Sequence, residues 1–474
     1  MFDLVVLGGG SGGLNVATAA AAVGAKVALV EQGQLGGECT HTACVPSKAL
    51  IRAARVLHEA RGASAFGVEV GVPRADFAAV MDRIRRVVAS FAGSDSGQSL
   101  QAKGIEVFRG SPVFRAYDTV VVDGQTTLNA HRFVVATGSR PAIPAIPGLE
   151  EVGYLDNRTI WDLTALPETL LILGAGPVGL EFGQSLARLG SKVTILGNDP
   201  HVLPKEDPEV STLVQRALEA EGIVFHLGVE VTGVARRGEK ALVKFRKGNE
   251  TFEAVRDRLL VAAGRLANVE GLDLEAVGIH ATPEHGIPVD ENLQTSARQI
   301  YAIGDVLGHH QWTHAAEREA SVAFQNAVLK LSKKVDYATI PWATFTEPEV
   351  ATVGLNEAAA RVDHPDARVF RAEYAELDRA RIDGKPTGLA KVVATPGGKI
   401  LGATIAGEGA ADVLQEFVLA MQHGLSLADL ADTVHPYPTY VGVARKLGNQ
   451  YVATKLEKGV VQTALRWIYG YSPR

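Results

Sequence analysis

Cysteine is almost missing from this chain: its 474 residues contain two, Cys39 and Cys44. A zinc centre needs about four ligands at short spacing, and no second cysteine pair exists to complete one. Long apolar runs are also missing. No uninterrupted stretch of about twenty apolar residues occurs, so no membrane span is expected. Positive charge is not in excess either. A formal net charge of −6 argues against general nucleic-acid binding, which requires a basic surface able to neutralise several phosphates. Small molecules are the partners this balance suits. The N-terminus shows no basic region before its apolar run and turns glycine-rich at once, so it reads as a strand and not as a signal peptide. Two cysteines without a targeting segment point to the reducing cytoplasm, where a disulfide is more often catalytic than structural.

What is present starts with size. The length is too great for one core and predicts roughly three domains or more, and a hydrophobic content of 46% is enough to pack them. The cysteines lie in Gly36-Gly37-Glu38-Cys39-Thr40-His41-Thr42-Ala43-Cys44-Val45-Pro46-Ser47-Lys48. Two thiols with four residues between them can close a small disulfide loop. The second would sit where a helix begins, and there the helix dipole favours a reactive thiolate. The bland alternative is two unrelated buried thiols, since free cysteine is among the most buried residue types.

Before this stretch, a strand over residues 4–7 runs into Gly8-Gly9-Gly10-Ser11-Gly12-Gly13 and an alanine-rich helix over 14–23. That is the order of a dinucleotide fold. Gly8 permits the turn, Gly10 lets backbone approach a pyrophosphate, and Gly13 lets helix and strand pack closely. The following strand, 26–30, ends at Glu31, placed to accept hydrogen bonds from an adenosine ribose. Helices are expected over 47–61 and 76–103, with Arg83, Arg85 and Arg86 forming a solvated face of the second. A strand meander over 105–129 closes on a buried strand entering Ala136-Thr137-Gly138-Ser139-Arg140.

After Pro144, Pro147 and Gly148 the pattern begins again: strand 170–173, then Gly174-Ala175-Gly176-Pro177-Val178-Gly179, a helix over 180–189 and a strand over 192–196. Another meander follows, with strands near 223–231 and 241–245, and residues 258–265 echo the earlier closure and end at Gly264-Arg265. Two nucleotide folds imply two nucleotides, and a flavin with a nicotinamide is the combination that brings a hydride donor to a flavin face.

With these motifs in order, the chain resembles the flavin-dependent pyridine nucleotide–disulfide oxidoreductases, the family of dihydrolipoamide dehydrogenase, glutathione reductase and mercuric reductase. The resemblance rests on both glycine fingerprints, the cysteine stretch, Ala136-Thr137-Gly138 and Tyr301-Ala302-Ile303-Gly304-Asp305, and it covers essentially the whole length. It implies an α/β fold: two Rossmann-like dinucleotide-binding domains plus a C-terminal α+β dimerisation domain. The expected divisions are 1–148 for FAD, 149–270 for NAD(P), 271–340 returning to the FAD domain, and 341–474 for the interface of a homodimer. Carried over by residue, Cys44 would lie against the flavin and Cys39 would exchange with substrate. Lys48 would sit near flavin N5 and pair with Glu181, and Asp305 would hold the ribityl chain. Gly138 and Gly264 belong to the two closures. Thr313-His314 resembles the start of the helix aimed at the flavin pyrimidine ring, with His314 packing or bonding locally.

Three departures qualify the resemblance. Dihydrolipoamide dehydrogenase and glutathione reductase carry a histidine, then Pro-Thr, with a glutamate five residues after the histidine. Here Tyr437 and Gly442 stand in those places, and His435 lies two positions earlier. A phenol with a pKa near 10 is a poor base at neutral pH, so low dithiol activity is expected. Mercuric reductase also carries tyrosine there; its C-terminal cysteine pair has no counterpart here. Second, Gly197-Asn198-Asp199 offers neither a glutamate for a ribose hydroxyl nor an arginine for a 2′-phosphate, while His201 or Lys205 could meet a phosphate, a slight lean to NADPH. Third, Thr40-His41-Thr42-Ala43 is unusual between the cysteines, and His41 either lowers a thiol's pKa or is an exposed loop residue.

The expected function is therefore a cytoplasmic oxidoreductase passing electrons from NAD(P)H through FAD to Cys39–Cys44. From there they reach a small-molecule acceptor: a disulfide, a metal ion such as Hg(II), or a quinone. No resident metal is expected. The alternatives are dihydrolipoamide dehydrogenase proper, or a flavoprotein acting as redox sensor or binding protein. An amphipathic interface helix is expected over 455–467, ahead of Tyr469.

Overall fold

The computed structural model describes residues 1–93, 96–456 and 466–470. Two compact units divide it. The first comprises Met1–Asn198 with Val224–Val335, the second Asp199–Ile223 with Asp336–Arg474.

The first unit holds two nucleotide-type sheets. In one, Ile105–Arg109, Val27–Glu31, Phe2–Leu7 and Thr126–Val135 lie side by side, and Ile300–Ala302 pairs in parallel with the last. Leu4, Val5, Val6 and Leu7 are fully buried, which is why this strand is continuously apolar and not alternating. Helix α1, Ser11–Ala22, covers one face with Val16, Ala17 and Ala20. The second sheet repeats the design with Val224–Leu227, Lys192–Gly197, Thr169–Leu173 and Arg258–Val261, all parallel, and Pro177–Leu189 as its helix.

The repeat extends to its turns. Gly8 has φ +111° and a Cβ there would overlap the carbonyl of Ala136; Gly174 has φ +115° and would meet that of Ala262. Both fingerprints therefore need glycine at this position for the same reason.

Four details differ from the sequence-based expectation. The helix expected over 76–103 is two, Phe77–Ala92 and Gly97–Ala102, because the Ser96 side chain accepts from Ser99 N–H and starts a new helix. Arg83 on the first of them donates to the carbonyl of Ala49 at 3.2 Å, so it is not purely solvated, whereas Arg85 pairs with Asp82. Val224–Leu227 is no part of the second meander but a parallel strand of the nucleotide sheet; the meander is Glu230–Arg237, Lys240–Lys247 and Glu250–Arg256. Finally, Cys39 and His41 lie on a short helix α2, Gly37–His41, and the helix expected over 47–61 is α3, Cys44–Gly62, which starts at the second thiol as its expected place at a helix N-terminus requires.

The second unit is built on an antiparallel sheet in the order Trp342–Thr344, Glu349–Gly354, Ile400–Gly407, Leu389–Ala394 and Arg368–Glu373. Helices Ala410–Gln422, Leu427–Asp432 and Gly442–Leu456 share its core, with Phe417, Leu427 and Leu447 fully buried. The Asp199–Ile223 excursion is tied in by charge. Lys391, 3% exposed, contacts Asp207 at 2.9 Å, Glu209 at 2.5 Å and Glu357 at 2.8 Å. Burial pulls its pKa down, but the three carboxylates outweigh it and hold the ammonium above its ordinary range. The helix expected over 455–467 falls largely on 457–465, outside the described residues.

Candidate active site

α2 is only five residues long and is preceded by Gly36, whose φ is +99°. So short a helix cannot sustain itself and depends on contacts at its ends. His41 Nε2 meets the carbonyl of Leu35 at 2.7 Å, and Trp161 Nε1 donates to the carbonyl of Thr42 at 3.0 Å. His41 thus serves the loop and not a thiol.

Both cysteines are free thiols and partly buried. Their environments separate them. Hydrogen bonding from Cys39 is the main influence that lowers Cys44, to about 6; burial opposes it, while Thr313 and the Lys48 charge assist. Cys39 is pushed up, chiefly by its hydrogen bond with Cys44 and then by burial. The pair therefore holds its negative charge on Cys44, with Cys39 as the protonated donor. Thr313, where the helix Thr313–Ala327 begins, places its Oγ1 3.5 Å from Cys44 Sγ. In the sequence Thr313 is only part of a motif; nothing in one dimension brings residue 313 to residue 44.

One turn into α3, Lys48 Nζ donates to Glu181 Oε2 at 2.7 Å, across 133 residues. Glu181 lies on the helix of the second fingerprint and its side chain is 8% exposed, against 37% for Lys48. An ion pair this unevenly buried keeps the acid fixed and leaves the cation one open side.

Asp305 is placed by a second set of contacts. Ser139 Oγ donates to Asp305 Oδ2 at 2.5 Å, and Arg265 Nε lies 3.5 Å from the same oxygen. Burial raises the Asp305 carboxyl, and Arg265 with Ser139 opposes the rise. Arg265 also meets Glu38, whose other oxygen accepts from Arg158 Nε at 2.5 Å. Within the cysteine motif Glu38 carries no role that the sequence declares. Its signal in the sequence was an acid placed directly before a redox cysteine.

The glycine turns fit a dinucleotide. Gly10 and Gly176 cap their helices with ordinary φ values of −81° and −83°, and no side chain caps either helix. A Cβ on Gly10 would meet only Gly37 Cα, at 3.8 Å, and one on Gly176 would meet nothing within 4 Å. Neither backbone strain nor the protein's own packing requires glycine there. The space kept clear above two uncapped helix N-termini is what a pyrophosphate needs. Gly13 and Gly179 differ: a Cβ at either would overlap the carbonyl of Gly8 or Gly174, so these two serve helix–strand packing. Glu31 accepts from the amides of Gly9 and Gly33, both at 2.6 Å, and so braces the first turn. Gly138, with φ +73°, and Gly264, with φ +123°, turn the chain after the two closing strands. The exposed His314 ring stacks parallel to Trp312 at 6.2 Å.

In the second unit, Tyr437 is 80% exposed and its phenol donates to Asp378 Oδ2 at 3.0 Å, which raises its pKa further. His435 Nε2 is engaged by Glu416, at 2.8 and 3.0 Å from its two oxygens.

Comparison with known proteins shows the family. Residues 2–320 match the pyridine nucleotide-disulphide oxidoreductase family model, and residues 340–446 match the dimerisation domain of the same proteins. A mercuric reductase of Lysinibacillus sphaericus is 34% identical over 441 residues, covering 92% of this chain and 80% of that protein. A dihydrolipoyl dehydrogenase of Thermus scotoductus is 35% identical over 448 residues, covering 92% and 95%. Among solved structures, the HOCl-induced flavoprotein disulfide reductase RclA from Escherichia coli superposes with a TM-score of 0.84 at 26% identity, covering 94% of this chain and 99% of that one. Its Cu(II) complex gives a TM-score of 0.85 at 25% identity, covering 95% and 99%. No helix among the described residues is long and apolar enough to cross a membrane. The chain belongs to the pyridine nucleotide–disulfide oxidoreductases, FAD-dependent flavoenzymes that use a pyridine nucleotide.

Proposed function

We propose that this chain uses NADPH to reduce a thiolate-binding metal ion by way of Cys39–Cys44, in preference to a lipoyl-type disulfide. The observation that carries this reading is the state of Tyr437. Reducing a disulfide needs a group that takes the Cys39 proton and returns one to the leaving thiolate near neutrality, and an exposed phenol already donating to Asp378 is not one. His435 supplies no substitute while Glu416 holds it. A soft metal ion binds the thiolates directly, displacing the Cys39 proton to solvent, and has no leaving thiolate to protonate. Relatives named mercuric reductase and the structure titled as a Cu(II) complex support the choice of acceptor class.

The residue roles follow. Bound FAD supplies the two-electron carrier between nicotinamide and thiols. Cys44 is the thiolate on the flavin side, and Cys39 delivers to the acceptor. Lys48, oriented by Glu181, places a cation where negative charge develops. Asp305 holds the ribityl chain, and Glu31 contributes to the adenosine side. Gly10 and Gly176 leave room for the two pyrophosphates. NADPH is favoured because the strand Lys192–Gly197 ends on glycine, without a carboxylate for a ribose hydroxyl. We assign residues 1–148 and 271–340 to the FAD side, 149–270 to NADPH and 341–474 to a homodimer interface, in a cytoplasmic enzyme.

The test is a specificity screen of the FAD-loaded protein with NADPH and NADH against Hg(II), Cu(II), oxidised lipoamide and a quinone. The expected kcat/KM is highest for NADPH with a metal ion, by at least about tenfold over lipoamide. Lipoamide turnover equal to metal turnover would sink the reading.

A further inference from the structure

Glu38 stands at the meeting point of four charged side chains. It precedes Cys39 on α2, and its carboxylate is shared by Arg158, at 2.5 Å, and Arg265. Arg265 in turn donates to Ser139 Oγ at 2.7 Å and lies 3.5 Å from Asp305 Oδ2. Glu38 and Arg265 are each 23% exposed and Arg158 44%, so solvent screens the set only in part. The four charges cancel, two against two. Glu38 pushes the Asp305 carboxyl up while Arg265 holds it down, so the two acids compete for one guanidinium.

We propose that Glu38 is a positioning residue that balances Arg158 and Arg265 and thereby sets how readily the Cys39–Cys44 pair accepts electrons. The proposal rests on the functional reading above, in which this pair cycles between disulfide and dithiol. Reduction breaks the S–S bond with the two electrons and one proton of a hydride, and leaves a thiolate on Cys44 and a thiol on Cys39. One negative charge is thus added to the centre. With Glu38 present, the nearby arginines are neutralised and give that charge little support. Without it, a net positive charge remains beside the thiol helix and favours the reduced pair. Loss of Arg158 does the reverse. A helix merely loosened by mutation would not respond with opposite signs to removal of two partners in one ion pair.

The experiment equilibrates the FAD-loaded protein anaerobically with graded mixtures of reduced and oxidised glutathione, and counts free Cys39 and Cys44 by alkylation and mass spectrometry. E38Q is expected to shift the equilibrium toward the dithiol about fivefold, equivalent to about 20 mV for a two-electron couple. R158Q is expected to shift it a similar amount toward the disulfide, and E38D, which keeps the charge, to stay within about twofold of wild type. Should E38Q fail to fold, R158Q against wild type still carries the sign. Both variants at wild-type poise, or both moving the same way, overturn the proposal. A wild-type pair that never closes its disulfide in oxidising mixtures overturns the functional reading instead.

Discussion

Cys44 and Tyr437 stand at the two ends of the proposed electron path, and their surroundings differ in kind. Cys44 is enclosed by a hydrogen bond from Cys39, the Thr313 hydroxyl and the charge of Lys48, whose orientation depends on a nearly buried Glu181. Tyr437 is exposed and holds a single hydrogen bond to Asp378. Under the proposed roles the flavin-side thiol is preorganised electrostatically, whereas Tyr437 is exposed and is itself no base near neutrality. Such a contrast suits a chemistry in which the difficult part is storing charge on a thiolate and the acceptor leaves no departing thiolate to protonate.

The strongest way to break the comparison is to remove its charged centre. Cys44→Ser is expected to lower NADPH-dependent turnover with the true acceptor by about a thousandfold or more, because the thiolate and not a hydroxyl is the nucleophile. Steady-state rates at matched FAD content measure this. Wild-type turnover in that variant would mean that electrons leave the flavin without the thiols. Lys48→Met should cost about a hundredfold in flavin reduction by NADPH, read by stopped flow, and Glu181→Gln about tenfold, since the half-exposed lysine loses only its orientation.

A pH titration sharpens the contrast without touching turnover. Cys44 is lowered to about 6, so the two-electron-reduced protein should show the long-wavelength absorbance of a thiolate beside flavin above that pH and lose it below. Lys48→Met should move the midpoint upward, because a cation that favours the thiolate is gone. The smallest effect belongs to the other end. Tyr437→Phe removes an exposed phenol and should change metal-ion turnover by less than about threefold. A large loss there would give the tyrosine a direct role and blur the distinction between the two ends.

The nucleotide folds were legible in one dimension because they rest on local rules. Leu4 to Leu7 are apolar throughout since a parallel strand is covered on both faces, and Gly8 and Gly174 declare turns that no side chain tolerates. The expected single helix over 76–103 breaks on an equally local rule, the capping preference of Ser96, whose side chain accepts from Ser99 N–H. Val224–Leu227 was misplaced for a different reason. Its partner is Lys192–Gly197, and a short apolar run does not state whether it closes a meander or extends a parallel sheet.

By itself the sequence determined the two fingerprints, the thiol pair with Lys48 on the following helix, and the missing histidine at position 437. These depend on residue type, spacing and backbone sterics within a few residues. Tertiary structure alone decided which charges meet: Lys48 with Glu181, Thr313 with Cys44, and Glu38 with both Arg158 and Arg265. Each of these contacts joins residues more than a hundred positions apart, where only the packing of the folded chain sets distance, and distance and burial set the strength of a charge.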